Sequence, residues 1–179
     1  MKVYIDDGNK RPVRLVVDTP QNSNILCIRN SGEVEFPISV GVDGSLKGVD
    51  GDFEGGPAQK LFNVSPSKRI QGGATSSTPF LPCVSSVQVM LDNDGLPLNA
   101  RIEILQGPNN AKQSVEVYIE DGKERPFYCV FETPEGGSVV RITNTSPVEF
   151  PLNARSEPYS IKLKSGDSLP KEELFKWDG

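Results

Sequence analysis

Apolar and polar residues alternate along much of this chain with a period of two, the pattern of strands that bury one face and wet the other. The run Leu98-Asn99-Ala100-Arg101-Ile102-Glu103-Ile104 is the cleanest case. Val115, Val117 and Ile119 continue the alternation, and Asp121-Gly122 then turns the chain toward Phe127, Cys129 and Phe131. Val139 to Ile142 and Val148 to Leu152 read as further strands, and Val87, Val89 and Leu91 reach the Leu98 strand through Asp94-Gly95, expected as a hairpin turn. About six strands with turns every roughly 8 to 14 residues predict an antiparallel β-sandwich.

The same pattern occurs twice. A shift of 114 residues lays Val3 to Val40 over Val117 to Ala154 without a gap. Val3-Tyr4-Ile5-Asp6-Asp7-Gly8 meets Val117-Tyr118-Ile119-Glu120-Asp121-Gly122, Arg11-Pro12 meets Arg125-Pro126, and Val34-Glu35-Phe36-Pro37 meets Val148-Glu149-Phe150-Pro151. Of the 38 aligned positions 16 are identical, where about 2 would match by accident, so one structural unit is duplicated. The second copy is preceded by the strand-rich stretch Val87 to Glu116, the first only by Met1 and Lys2. Unit one is therefore expected either to be cut short or to borrow strands from elsewhere, and an unpaired sheet edge would be a docking surface for a partner strand.

The predicted architecture is all-β, with two related antiparallel sandwich-like units joined by a long irregular linker. The boundaries are 1–45 for the first unit, 46–86 for a Gly/Ser/Pro-rich linker, 87–165 for the second unit and 166–179 for a tail. The linker is long for a connection inside one domain and suits a segment lying across another protein. Pro12, Pro126, Pro37 and Pro151 stand where a missing N–H is tolerated, at strand ends or edges. In the tail, Phe175 and Trp177, the only tryptophan, either pack back on the sandwich or anchor a partner.

Composition narrows what such a protein does. The 17 Gly and 15 Pro among 179 residues fit turns and short strands. A net charge of −5, with the Lys and Arg scattered, argues against a phosphate-tracking surface and so against nucleic acid. No apolar run approaches the roughly 20 residues of a membrane span, so no membrane insertion is expected. The chain has no histidine, which removes the commonest general base, the Ser-His and Cys-His pairs and imidazole metal sites. The acidic residues fall mostly in turns such as Asp6-Asp7-Gly8, where Asp caps its own backbone. No enzymatic activity and no cofactor are expected.

Weaker chemical signals read as structure. Asp92-Asn93-Asp94-Gly95 imitates the start of a calcium loop, but Leu96 and Pro97 follow and no closing Glu stands at the required spacing. Asp50-Gly51-Asp52-Phe53-Glu54 offers three carboxylates in a loop, either solvated or calcium-binding. Cys27, Cys83 and Cys129 read as small hydrophobes in a reducing compartment, with a Cys27–Cys129 bridge or a cofactor thioether as alternatives. Asn144-Thr145-Ser146 fits a glycosylation sequon, discounted because Pro147 follows.

The segment Leu96 to Asn110, followed by Val117-Tyr118-Ile119-Glu120-Asp121-Gly122 and Arg125-Pro126-Phe127, resembles a repeat found in plastid-associated proteins of algae. Among these are the small non-pigmented proteins that brace phycobilisome rods and linkers in red algae. The resemblance covers both repeats, not the linker or the tail, and its motifs carry no catalytic residue. It implies a non-catalytic stabilising component of a large assembly, with phycobiliproteins and linker proteins as partners and the stromal side of the thylakoid as its place. Antenna linkers are typically basic whereas this chain is acidic, so contacts would run through local groups: the basic pair Lys68 and Arg69, the duplicated Phe36 and Phe150, and Phe175 and Trp177. The alternative is a carbohydrate- or calcium-binding sandwich module.

Overall fold

Two antiparallel five-stranded sheets face each other in a computed structural model that describes residues 1–19, 24–33, 35–44 and 56–162. In chain order the elements are β1 (Lys2–Ile5), β2 (Val13–Val16), α1 (Pro57–Val64), β3 (Lys68–Ile70), β4 (Thr75–Phe80), β5 (Val84–Asp92), β6 (Leu98–Leu105), β7 (Ala111–Ile119), β8 (Phe127–Glu132), β9 (Ser138–Asn144) and β10 (Leu152–Ile161). One sheet runs β1-β7-β6-β9-β4 and the other β2-β8-β5-β10-β3. The all-β sandwich read from the alternation is the fold.

The alternation decides which faces meet. Leu98, Ala100, Ile102 and Ile104 of β6 point inward against Val87, Val89 and Leu91 of β5 and Phe127, Cys129 and Phe131 of β8, forming one continuous core. Each large side chain so buried contributes about 1.5–3 kcal/mol. β8 is apolar without a break, Phe127-Tyr128-Cys129-Val130-Phe131, because α1 covers its outer face. Ala58 and Leu61 of α1 close over Met90, Tyr128 and Val130 there, with Val16 at the margin.

A polar staple fastens α1 to that sheet. Arg155 of β10 pairs with Asp92, donates from Nε to the Ser65 carbonyl at 3.2 Å, and stands 4.6 Å over the Phe62 ring. Ser65 Oγ donates to Glu157 at 2.6 Å. Charge, hydrogen bonds and a cation–π contact thus converge on one guanidinium, whose planar fork suits such a role.

Two expectations change. Of the stretch 46–86, read as irregular linker, the part from Gly56 onward holds α1, β3, β4 and the start of β5, all packed into the sandwich. Its Ser, Thr and Pro content suits an edge: Pro79 lies in β4, which pairs on one side only, with β9. The Asp50 to Glu54 loop lies outside the described residues. The Asp94-Gly95 turn is not a hairpin. Asn93 Oδ1 accepts from the N–H groups of Gly95 and Leu96, both at 3.1 Å, and Gly95 takes φ 91°, so the turn chemistry is as read. It nevertheless carries the chain from β5 in one sheet to β6 in the other. Asp121-Gly122 likewise arches from β7 to β8, and among the described consecutive strands only β6 and β7 form a hairpin.

Candidate assembly surface

The repeat acquires its meaning from strand register. β1 pairs antiparallel with β7, and Lys2 stands opposite Glu116, its own counterpart under the 114-residue shift. In the other sheet β2 pairs antiparallel with β8, and Leu15 stands opposite its counterpart Cys129. Arg14 faces Val130 and Val16 faces Tyr128, while Val130 is the counterpart of Val16 and Tyr128 that of Arg14. Exchange of the copies therefore returns Lys2–Glu116 and the three named β2–β8 pairs to themselves, which is a local twofold relationship built from the duplicated strands.

The copies share their turns as well as their strands. Arg11 N–H donates to the Asp7 carbonyl at 3.0 Å, and Arg125 N–H to that of Asp121 at 3.1 Å. Asn30 Nδ2 donates to the Phe36 carbonyl at 2.8 Å, as Asn144 Nδ2 does to that of Phe150 at 2.9 Å. Asn30 Oδ1 accepts from Gly32 N–H and Asn144 Oδ1 from Ser146 N–H. Asn144 is fully buried, with a second bond to the Ile70 carbonyl, so the sequon is a corner brace closed to modification.

Solvent exposure separates the copies. Leu26 and Ile28 are 60% and 52% exposed, whereas their counterparts Val140 and Ile142 in β9 are 1% and 3%. Ile38 and Val40 are 54% and 53% exposed against 2% and 5% for Leu152 and Ala154 in β10. The described parts of 24–44 carry no strand assignment. β1 and β2 stand at the sheet edges, and the four apolar residues Leu26, Ile28, Ile38 and Val40 are more than half open to solvent.

Around the junction the charges are local. Asp6 accepts from Arg11 Nη2 at 2.5 Å and pairs with Lys112 Nζ at 3.2 Å, so its carboxyl is held below the ordinary value, first by the Arg11 hydrogen bond. Gln113 Nε2 donates to the Arg11 carbonyl at 2.7 Å and ties the same corner to β7. Asp121 is lowered by the N–H groups of Glu124 and Lys123, and Asp7 by that of Lys10, which fits turn caps rather than acid–base groups. Burial alone pushes the Cys129 thiol well up, so it is an inert core group. All three cysteines are free, Cys27 exposed and Cys83 half-buried, so neither a Cys27–Cys129 bridge nor any other is formed.

The residues picked out for partner contact are scattered. Lys68 and Arg69 are exposed on the edge strand β3, with Arg69 Nη1 3.6 Å from Asp94. Phe36 is exposed, while Phe150 is half-buried behind its corner. Phe175 and Trp177 lie outside the described residues. The clefts beside β1 are shallow; one is lined by Met1, Lys2, Arg101, Glu116 and Tyr118, whose Arg101–Glu116 pair spans 2.7 Å. No group of three or more acidic or cysteine side chains placed to hold a metal occurs among the described residues, nor does a helix long and apolar enough to cross a membrane. Sequence reasoning did not find that β1 and β2 pair with β7 and β8 at the sheet edges, although the unit-one gap pointed to an open edge.

The family model of the diatom pyrenoid shell protein matches residues 1–158, from the first strand into β10 and across both copies of the repeat. The chain belongs to this family. It is thus a member of an algal plastid-associated family of structural proteins, the coarser part of what the resemblance implied. Among curated proteins, no sequence matches this diatom pyrenoid shell family member.

Proposed function

We propose that this protein is a non-catalytic structural subunit of the shell around the diatom pyrenoid, in the chloroplast, where it contacts other proteins of that assembly. The observation that carries the reading is the family match over 1–158. The architecture supports it: a sandwich that pairs duplicated strands edge to edge is a building element, and the cleft beside Met1 and Lys2 holds the Arg101–Glu116 ion pair. The placement of a rod-and-linker brace on the stromal side of the thylakoid gains no support from that match. Lys68, Arg69, Phe36 and Phe150 remain as contact residues of the proposal, together with the tail residues Phe175 and Trp177.

The test is imaging of the fluorescently tagged chain in a diatom, combined with isolation of its complexes. A rim enclosing the pyrenoid and a large colourless assembly support the shell reading. Even spread through the stroma, or comigration with a coloured pigment–protein assembly, overturns it.

A further inference from the structure

In the complete copy, β6 lies between β7 and β9 in one sheet, and β5 lies between β8 and β10 in the other. The first copy has β1 and β2 as counterparts of β7 and β8, while 24–30 and 38–42, the counterparts of β9 and the start of β10, carry no strand assignment; among the described residues no strand takes the places beside β1 and β2 that β6 and β5 take beside β7 and β8. One continuous strand pair of the β5–β6 kind fills both places at once, because the Asn93–Gly95 arch already spans the two sheets.

We infer that the free edges of β1 and β2, together with residues 24–30 and 38–42, form an acceptor slot for a β5–β6-type strand pair carried by a further repeat of this same fold. The register follows from the complete copy. Ala100 faces Val117 and Leu98 faces Ile119, so an incoming β6-type strand sets an Ala100-like residue opposite Val3 and a Leu98-like one opposite Ile5. Val89 faces Cys129 and Leu91 faces Phe127, so the β5-type strand sets the same residue types opposite Leu15 and Val13. On its far side the β6-type strand meets Leu26 and Ile28, the counterparts of residues facing Ile104 and Ile102.

Three observations select this occupant over an unrelated apolar partner. The exposed residues Leu26, Ile28, Ile38 and Val40 are those whose counterparts β5 and β6 bury. The Asn30–Phe36 corner is already formed with the same hydrogen bonds as the Asn144–Phe150 corner between β9 and β10. The slot also continues an interface the molecule already uses, since β1 and β2 extend the sheets of the complete copy. This inference rests on repeat register alone and stands or falls separately from the shell reading.

Hydrogen exchange of the full 179-residue chain with an added peptide of residues 84–106 tests it. Saturable one-to-one binding is expected, with exchange across 24–30, 38–42 and β1–β2 slowed at least about tenfold. Leu26→Asp with Ile28→Asp is expected to abolish this while leaving protection of β5 and β9 intact. A second measurement avoids the solubility of a free strand pair: residues 57–114 joined directly ahead of Met1 reproduce the 114–115 junction of the second copy, and this longer chain should show the same protection without peptide. Unchanged exchange in both experiments overturns the inference. So does protection that survives the double variant, or protection of 24–30 and 38–42 in the chain alone that grows with its concentration, which would assign the slot to self-pairing.

Discussion

Leu15 lies directly opposite Cys129, the residue that occupies its own place in the other copy of the repeat. Both side chains face the core, Cys129 fully buried and Leu15 packed at its margin. Leu15→Ala should cost about 1–2 kcal/mol, below the range for a fully buried leucine because this one is only partly covered. Chemical denaturation gives the value, and hydrogen exchange should place the loss on β1 and β2 rather than on β5.

Arg155 should be the most costly single charge to remove. Arg155→Ala leaves the buried Asp92 carboxylate without its cation and frees α1, for a loss of about 3 kcal/mol. Adding Asp92→Ala should recover part of the loss, which a double-mutant cycle by thermal or urea unfolding measures.

Gly72 has no room for a side chain. A Cβ there would stand 1.7 Å from the Pro147 carbonyl oxygen, a backbone atom that cannot turn away. Gly72→Ala should therefore destabilise by about 3 kcal/mol or prevent soluble expression, since overpacking against backbone forces a shift between the β3–β4 and β9–β10 turns. Gly8→Ala, with open space around it, is the matched control.

The β1–β7 corner should loosen in acid. Asp6 is held below its ordinary value of 3.8 by Arg11 and Lys112, so its contribution is full above that value and is lost as pH falls through the lower folded one. Because Asp6 keeps some solvent contact, the effect is small and local. Exchange at β1 should accelerate below about pH 4, and Asp6→Asn should remove this dependence while weakening the corner at neutral pH.

Metal removal should change nothing in the described sandwich. A chelator is expected to leave the melting temperature within error, because no cluster of metal-ligating side chains occurs among the described residues. A fall of several degrees by calorimetry would instead favour the calcium-module alternative.

The legible parts of the fold are those written in local alternation. Leu98 to Ile104 announces β6, and Val115, Val117 and Ile119 announce β7, because each buries one face. β4 was lost in Thr75-Ser76-Ser77-Thr78-Pro79-Phe80, since an edge strand needs neither an apolar run nor every N–H. The Asp-Gly arches were legible as turns but not as sheet crossings, because turn chemistry fixes backbone angles and not which strands pair afterwards. The candidate surface was half legible: the unit-one gap can be seen by counting, whereas the opposition of Leu15 and Cys129 depends on register.

A pairing that returns each strand to its own counterpart is self-complementary, and such contacts close instead of propagating. Two copies use up the β7-type and β8-type edges they share, so units joined this way come in twos and no row can grow through that junction. The β4 and β3 edges oppose growth too, with Pro79 in β4 and the Lys68-Arg69 pair on three-residue β3. An extended coat made of such pairs must spread sideways through loops, faces or tails. Its repeating element then has a dyad, and its two surfaces need differ only where the copies have diverged.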